Sequence, residues 1–166
     1  MSGPTILVMG VSGSGKTTVG TLLAKALETR LVDADSLHSE ANRQKMAAGI
    51  PLNDTDRAPW LAAVGAVLAN GNVVVACSAL RRCYRDRLRL AAPDLHLVYL
   101  RGSRALLLHR LAARSHEFMP PGLLDSQLDT LESPAEDEHA IVADIDRSPP
   151  DIVAFVVNKL RSTGQH

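Results

Sequence analysis

Aromatic residues and cysteines are scarce in this chain of 166 residues. Aromatics make up only 3% of it, so a core has to be built from Leu, Val, Ile and Ala within an apolar content of 46%. Cys77 and Cys83 are not spaced as Cys-x-x-Cys, and two cysteines are too few for a disulfide framework. We therefore expect free thiols in a reducing cytoplasm.

The sequence also lacks net charge and long apolar runs. Eighteen Lys and Arg residues balance eighteen Asp and Glu residues, so no overall field attracts nucleic acid or an anionic membrane. No apolar run approaches the roughly 20 residues of a membrane span, and the run at 6–9 is too short for the apolar part of a signal peptide. We expect no nucleic-acid or membrane partner and a cytoplasmic location. The histidines show no metal-ligand spacing, so structural zinc is not expected.

Apolar runs of strand length alternate with helical patterns, which is typical of a parallel sheet covered by helices on both faces. The length fits a single domain, residues 1–166. The patterns predict a loop at 118–122 and a frayed tail from about Arg161. Strands are predicted at residues 5–9, 30–33, 72–77, 95–100 and 140–145, and helices at 15–27, 39–48, 56–69, 80–91, 103–114, 123–131 and 151–160.

The strongest motif lies between the first predicted strand and the first predicted helix. Residues 10–17 match G-x-x-x-x-G-K-[ST], the phosphate-binding loop of P-loop proteins. Its glycines let backbone N–H groups turn inward, Lys16 would reach the β- and γ-phosphates, and Thr17 would ligate Mg²⁺. The alternative, a glycine-rich turn that binds no nucleotide, does not account for the strand–loop–helix setting. The predicted nucleotide-binding residues of this segment are Gly10, Val11, Ser12, Gly13, Ser14, Gly15, Lys16, Thr17 and Thr18.

Further segments, taken in order from about Ile6 to Ile145, form a second pattern. They are 33–38 (DADSLH), 42–46 (NRQKM), 49–57 (GIPLNDTDR), 60–61 (WL), 77–81 (CSALR), 84–86 (YRD), 118–120 (FMP), 123–127 (LLDSQ) and 131–132 (LE). Together with the phosphate loop, they resemble the gluconokinases of the P-loop kinase superfamily. The resemblance implies a three-layer α/β/α fold with a five-stranded parallel sheet in the order 2-3-1-4-5 and a small helical lid at about 115–133. It also implies ATP and Mg²⁺ as cofactors, phosphorylation of D-gluconate to 6-phosphogluconate, and a homodimer as one option.

Asp33 and Asp35 follow the second predicted strand, at the sheet edge where ligands bind in open α/β folds. Alternation along an extended segment would put both side chains on one side. We assign Asp35 to the acceptor hydroxyl, as hydrogen-bond partner and base, and Asp33 to the water shell of Mg²⁺ or to positioning. The reverse assignment stays open, as does a structural role in capping a helix that begins at residue 36.

Gluconate is an anion, so its site should offer cations. Arg57 and Arg81 are the candidates for binding its carboxylate or the γ-phosphate, since Arg suits bidentate carboxylate binding. His38 would hydrogen-bond a hydroxyl, and Gln127 would contact substrate or hold the lid. For each of these charged residues, the alternative is a side chain that lies on the surface in solvent and binds no ligand. An ion pair with Asp54 or Asp56 would hold Arg57 in place.

Arg110 and Arg114 lie one helical turn apart and lead into the predicted lid. We expect them to bind ATP and neutralise transition-state charge when the lid closes; the alternative is an exposed helix face paired with acids. The loop at 144–147 is expected near adenine. Cys77 and Ser78 stand where many P-loop enzymes carry an acidic Mg²⁺ ligand, so Mg²⁺ would depend on Thr17, phosphates, water and Asp33. A catalytic role for Cys77 is not expected.

Two other functions fit the motif less well. A related kinase of shikimate or of a nucleotide would share the loop, but a nucleotide acceptor calls for more arginines around a second phosphate site. A nucleotide-binding module without turnover would not need Asp33, Asp35 and a lid-like arginine pair alongside Lys16 and Thr17.

Overall fold

The computed structural model describes residues 3–113 and 121–163, and its centre is a five-stranded sheet. Its strands are β1 (Thr5–Met9), β2 (Arg30–Asp33), β3 (Val73–Ala76), β4 (His96–Arg101) and β5 (Ile141–Asp144). Its α-helices are α1 (Lys16–Ala26), α2 (Glu40–Ala47), α3 (Asp54–Ala69), α4 (Arg82–Ala91), α5 (Arg104–Ala113), α6 (Pro121–Thr130) and α7 (Pro149–Thr163). Short 3₁₀ helices lie at Ala34–Leu37 and Glu136–Glu138.

The sheet is parallel throughout and has the order β2-β3-β1-β4-β5, which confirms the predicted order. In the middle of the sheet, Leu7 of β1 lies opposite Val75 of β3 and Leu97 of β4. Strand β3 is buried at every position, as its unbroken apolar run predicts for a strand covered on both faces. Because β1 is central, the phosphate-loop motif that follows it starts at the middle of the carboxyl edge of the sheet.

Two apolar cores flank the sheet, because successive side chains of a strand point to opposite faces. Ile6 and Val8 belong to the core that includes residues of α1, α5 and α7. Leu7 and Met9 belong to the other core, with residues of α3 and α4. Trp60 lies in this second core and is only 9% exposed.

The chain is more helical than predicted in two places. Helix α6 begins at Pro121, so the loop predicted for 118–122 is wrong at its last two residues; 118–120 lie outside the described residues. Proline fits the first helical position, where the missing N–H has no partner to lose. Helix α7 begins at Pro149 for the same reason and continues to Thr163, so the tail predicted to fray from Arg161 is helical there. The Ser148 hydroxyl accepts from the Asp151 amide and caps α7.

A buried ion pair joins α4 to the segment that follows α6. The Arg85 guanidinium donates to both carboxylate oxygens of Glu138, at 2.7 and 3.0 Å, and each side chain is 1% exposed. Arg89 also contacts Glu138, and Arg85 Nη1 donates to the Ala79 carbonyl at 2.9 Å. Ala79 has a left-handed φ of 45°, so this pair also supports the strained turn after β3.

Within the described residues, no helix has the length and apolar character needed to cross a bilayer. Cys77 is buried and Cys83 is exposed, and both are free thiols.

Candidate active site

The phosphate-loop motif has the backbone geometry that its glycines predict. Gly13 and Gly15 adopt left-handed φ angles of 87° and 91°. A Cβ atom on Gly10 would lie 2.5 Å from Ser14 Oγ and 3.1 Å from the Leu100 carbonyl oxygen, which is too close for either. Gly15 is also the N-cap of α1, so the loop delivers its amides to the positive end of a helix.

Two side chains of the loop fit an anion held by those amides. Ser14 is 1% exposed, and its hydroxyl has no hydrogen-bond partner within the described part of the chain. Lys16 Nζ donates to the Val11 carbonyl oxygen at 3.1 Å and so lies across the loop. A phosphate oxygen would accept from the Ser14 hydroxyl, which otherwise lacks a partner, and it would give the Lys16 ammonium a charged partner in place of a carbonyl. Thr17 and Thr18 are exposed at the start of α1.

Asp33 ends β2 with an extended backbone, whereas Asp35 lies in the 3₁₀ helix that follows. Asp33 is the N-cap of the 3₁₀ helix Ala34–Leu37, and its Oδ1 accepts from the Asp35 amide at 2.9 Å. The alternation expected from an extended chain is therefore wrong. Capping, the structural alternative, holds for Asp33, although the capped helix is shorter and starts two residues earlier than residue 36.

Asp35 lies among the other predicted catalytic groups. Burial of the carboxyl raises its pKa, and the neighbouring charge of Asp33 raises it further, while Lys16 and His38 act in the opposite direction. Asp33, Lys16 and His38 are thus each within electrostatic reach of Asp35. A raised pKa makes a carboxylate a better proton acceptor than an ordinary surface aspartate.

His38 is a neutral ring held against Trp60. The two rings stack with centroids 4.4 Å apart and planes 9° apart. Burial lowers the pKa of His38; Asp35 opposes that shift, while Arg43 and Arg57 add to it. The lowered pKa favours the neutral form of the ring.

Arg57 is fixed by Tyr84, a residue that the sequence did not single out as part of the site. Arg57 Nη1 donates to the Tyr84 hydroxyl at 3.1 Å, and that hydroxyl donates to Asp54 Oδ1 at 3.1 Å. Asp54 also lies 3.8 Å from Arg57, which confirms it as one of the two expected partners. The other, Asp56, instead forms an ion pair with Lys45 at 2.9 Å.

Arg81 is exposed, at the N-cap of α4. Burial raises the pKa of Tyr84, and the charges of Arg57 and Arg81 both act against that shift, so the two arginines approach the same phenol. Their convergence on Tyr84 gives this edge of the sheet a pair of cations. Tyr84 stands in the YRD segment of the chain, and only its place on the buried face of α4 marks it out.

Gln127 connects helix α6 to the phosphate loop. Its Oε1 accepts from the Ser12 amide at 2.7 Å. Arg104 of α5 pairs with Asp125 at 2.6 Å, and Leu124 is completely buried. Helix α6 thus contacts the phosphate loop through Gln127. Residues 114–120, including Arg114, lie outside the described residues.

A cavity of about 260 Å³ adjoins the phosphate loop between α1, α5 and α7. Arg110 lines it and also donates to the Ile145 carbonyl, which holds the arginine beside the loop expected near adenine. In that loop, however, Asp144 pairs with Arg101 and Arg147 lies over the Phe155 ring. The cavity is lined by Gly13, Gly15, Thr18, Val19, His109, Arg110, Ala113, Pro149 and Ile152.

Cys77 follows β3 beneath the two aspartates. Burial is the main cause that raises the pKa of its thiol to about 12. Asp35 and Asp33 also raise this pKa, whereas the hydrogen bond with the Ala79 backbone and the charge of Lys16 lower it. A thiol with such a pKa is not a nucleophile at neutral pH. Across residues 3–113 and 121–163, no group of three or more His, Cys, Asp or Glu side chains could hold a metal ion.

Comparison with known families and proteins gives a consistent result. The shikimate kinase family model matches residues 12–159. A gluconokinase of Gluconobacter oxydans is 45% identical, with 95% of this chain and 91% of that protein covered. The thermoresistant gluconokinase of Escherichia coli is 40% identical, with 93% of this chain and 92% of that protein covered.

Solved structures show the same relationship. The crystal structure of a gluconokinase from Sinorhizobium meliloti has a TM-score of 0.88 and 43% identity, and the match covers 98% of both chains. A shikimate kinase from Aquifex aeolicus has a TM-score of 0.61 at 17% identity, with 96% of this chain and 97% of that one covered. At that identity, the likeness to shikimate kinase describes the fold alone.

Proposed function

The chain belongs to the gluconokinases of the shikimate kinase family, and we propose that it transfers the γ-phosphoryl group of ATP to D-gluconate, giving 6-phospho-D-gluconate and ADP. One observation carries the chemistry: Lys16 of the phosphate loop lies within electrostatic reach of Asp35, whose carboxyl has a raised pKa. A phosphoryl donor held by the loop and a proton acceptor at Asp35 would therefore meet at one edge of the sheet.

The nucleotide would bind as MgATP. The loop amides, the Ser14 hydroxyl and Lys16 would hold its phosphates, and the cavity beside Arg110 would receive its base. When bound, Mg²⁺ neutralises charge on the β- and γ-phosphates. The Thr17 hydroxyl and one carboxylate oxygen of Asp33, the latter through water, are the protein groups that would hold the metal, because no cluster of metal-binding side chains exists within the described residues.

The transfer needs little from the protein beyond position and charge. The 6-hydroxyl oxygen of gluconate forms a bond to the γ-phosphorus as the bond from that phosphorus to ADP breaks, and the hydroxyl proton passes to Asp35. Lys16 would leave the Val11 carbonyl and follow the γ-phosphate through the reaction. Arg57 and Arg81 would bind the gluconate carboxylate, since they supply the paired cations near Tyr84.

The acceptor is tested by ADP release with a panel of acceptors: gluconate, other sugar acids, shikimate and nucleoside monophosphates. We expect gluconate to give the highest kcat/KM, with a phosphate monoester at its sixth carbon as the product. Turnover on shikimate or a nucleotide without turnover on gluconate would overturn the proposed substrate and leave the kinase assignment intact.

Asp35→Asn should lower kcat about 10²-fold or more while changing the Kd of ATP little, because the amide cannot accept the hydroxyl proton. Wild-type kcat/KM should fall with decreasing pH as Asp35 becomes protonated, and the fall should begin at a higher pH than an ordinary aspartate would give. Asp35→Asn should lose this decrease at low pH. Kinetics against pH and calorimetry with ATP measure both.

Stability gives an independent check on the same residue. A carboxyl whose pKa is raised by folding binds protons more tightly in the folded state, so its ionisation destabilises the protein at neutral pH. Asp35→Asn should therefore melt at the same temperature as wild type or higher. Asp33→Ala is the comparator, because it removes the oxygen that accepts the helix-capping bond from the Asp35 amide, and this loss should lower the melting temperature. A loss of ATP binding alone in Asp35→Asn would contradict the acceptor-site role.

Gln127→Ala should lower kcat/KM for ATP about tenfold, because the Ser12 amide loses the acceptor that orients it. Gln127→Glu should cost more, since its carboxylate would face the γ-phosphate. Ser126→Ala is the matched control: this exposed neighbour uses only its carbonyl in the helix, so the enzyme should keep wild-type kinetics. Equal kinetics for all three variants would mean that Gln127 of α6 has no role in phosphate binding.

A further inference from the structure

We propose that Asn42 is a positioning residue that keeps His38 as the neutral tautomer with its proton on Nε2, so that His38 donates a hydrogen bond to an oxygen of the sugar acid beside Asp35. The identity of the ligand rests on the proposed function, whereas the tautomer rests on contacts within the protein alone.

The Asn42 amide has only one orientation that satisfies its neighbours. Its Nδ2 donates to the backbone carbonyl of Asp56 at 2.9 Å, and a carbonyl only accepts, so the amide nitrogen must face it. The same Nδ2 lies 3.3 Å from His38 Nδ1. Since Nδ2 carries only donors, His38 Nδ1 must accept. The Asn42 side chain is buried at 6% exposure, and its backbone amide is fixed by the Ser39 hydroxyl.

The plane of the His38 ring is fixed as well. Trp60 stacks on it, and the indole Nε1 donates to the Ala34 carbonyl at 2.7 Å. Trp60 is therefore tied to the 3₁₀ helix that carries Asp35. A 180° flip of the imidazole within this plane would put Cδ2 where Nδ1 lies, so it would lose the contact with Asn42.

The charges around His38 keep the ring from gaining a second proton. Asp35 approaches from the 3₁₀ helix and favours the imidazolium, whereas Arg43 of α2 and Arg57 of α3 oppose it. Burial outweighs the carboxylate, so the pKa stays below its ordinary value. A neutral ring that accepts at Nδ1 carries its single proton on Nε2.

The Nε2 proton is available to a ligand. Within residues 3–113 and 121–163, no protein group is hydrogen-bonded to His38 Nε2. A hydroxyl between His38 and Asp35 would accept from the imidazole and donate to the carboxylate, which uses both hydrogen-bonding capacities of an alcohol. His38 would thus select an oxygen, and it would not serve as a base, because its only basic nitrogen faces Asn42.

The tautomer is tested by two-bond ¹H–¹⁵N correlation NMR of the wild-type protein without ligand, with the His38 signals identified by their loss in His38→Gln. We expect Nδ1 to resonate as an unprotonated nitrogen and Nε2 as a protonated one. A proton on Nδ1 in the wild type would overturn the proposal without reference to any substrate.

Asn42→Asp tests the consequence, because a carboxylate accepts where the amide donates. Its His38 should gain a proton on Nδ1, and kcat/KM for gluconate should fall about tenfold or more with the KM of ATP unchanged. Gln44→Glu, the same chemical change at an exposed position of α2, should alter neither the spectrum nor the kinetics. An unchanged kcat/KM in a folded Asn42→Asp with the altered tautomer would overturn the role in acceptor binding. Absence of gluconate turnover in the wild type would count against the proposed function, and the NMR result would still decide the role of Asn42.

Discussion

Lys16→Ala should lower kcat for gluconate phosphorylation about 10³-fold or more, a loss of roughly 4 kcal/mol of transition-state stabilisation. Negative charge develops on the oxygens of the γ-phosphoryl group and on the leaving oxygen of ADP during the transfer, and Lys16 is the cation that the phosphate loop would place beside them. Its ammonium already lies across the loop at the Val11 carbonyl, 3.1 Å away, so it needs little reorganisation to reach a phosphate. Steady-state ADP release at saturating ATP and gluconate measures the effect.

Lys25→Ala is the matched control for this substitution. Lys25 lies on the same helix, in its last turn, and is exposed. Removing it should change kcat by less than about twofold, since surface charges far from a site contribute little. Similar losses in the two variants would mean that α1 needs its charges for folding or solubility, and a fully active Lys16→Ala enzyme would rule out the proposed mechanism.

Glu138→Ala should cost about 3–5 kcal/mol of unfolding free energy, because it leaves the buried Arg85 guanidinium without its anion. Arg85 would keep hydrogen bonds to the Ala79 and Leu80 carbonyls, but neither neutralises its charge. Glu138 also accepts from Arg89 and from the Ala135 amide, so the substitution removes several bonds at once. Urea unfolding monitored by circular dichroism measures the loss.

Asp137→Ala is the control, since Asp137 is the neighbour of Glu138 in sequence and forms an exposed ion pair with Arg82. Its loss should cost no more than about 1 kcal/mol. Equal destabilisation by both substitutions would contradict the special role of the buried pair.

The contribution of Glu138 should also depend on pH. Burial opposes its ionisation, but hydrogen bonds from Arg85, Arg89 and the Ala135 amide outweigh burial and lower its pKa to about 2. A carboxyl with a lowered pKa stabilises the fold above its ordinary pKa, and the stabilisation is lost as the pH falls towards the lowered value. The stability difference between wild type and Glu138→Ala should therefore shrink steadily below about pH 4.5.

Local sequence patterns predicted the parts of the fold that depend on local physics. Five apolar runs mark the strands, and the glycine pattern after β1 predicts both the loop and its left-handed residues Gly13 and Gly15. The 3₁₀ helix at Ala34–Leu37 was missed because four residues are too few to show a period. The start of α6 was misplaced because Pro120 and Pro121 suggest a loop, although a proline is also well suited to the first helical position.

The parts of the site that escaped prediction depend on partners far apart in sequence. Gln127 and Ser12 are separated by 115 residues, and Arg85 and Glu138 by 53. No spacing rule connects such pairs, so Gln127 was placed near the substrate or the lid and its bond to the loop was not foreseen. Tyr84 and Asn42 were missed for a related reason: each acts through a neighbour, Arg57 or His38, whose position only the folded chain defines.

The most direct test is a crystal structure with gluconate and a non-hydrolysable ATP analogue bound together. We predict the γ-phosphate within the amides of residues 10–17 and the 6-hydroxyl of gluconate about 2.6–3.2 Å from the Asp35 carboxylate, in line with that phosphate. Gluconate bound in the cavity of about 320 Å³ that Ser39, Thr55 and Pro59 help to line, with its 6-hydroxyl out of hydrogen-bond reach of Asp35, would contradict this mechanism.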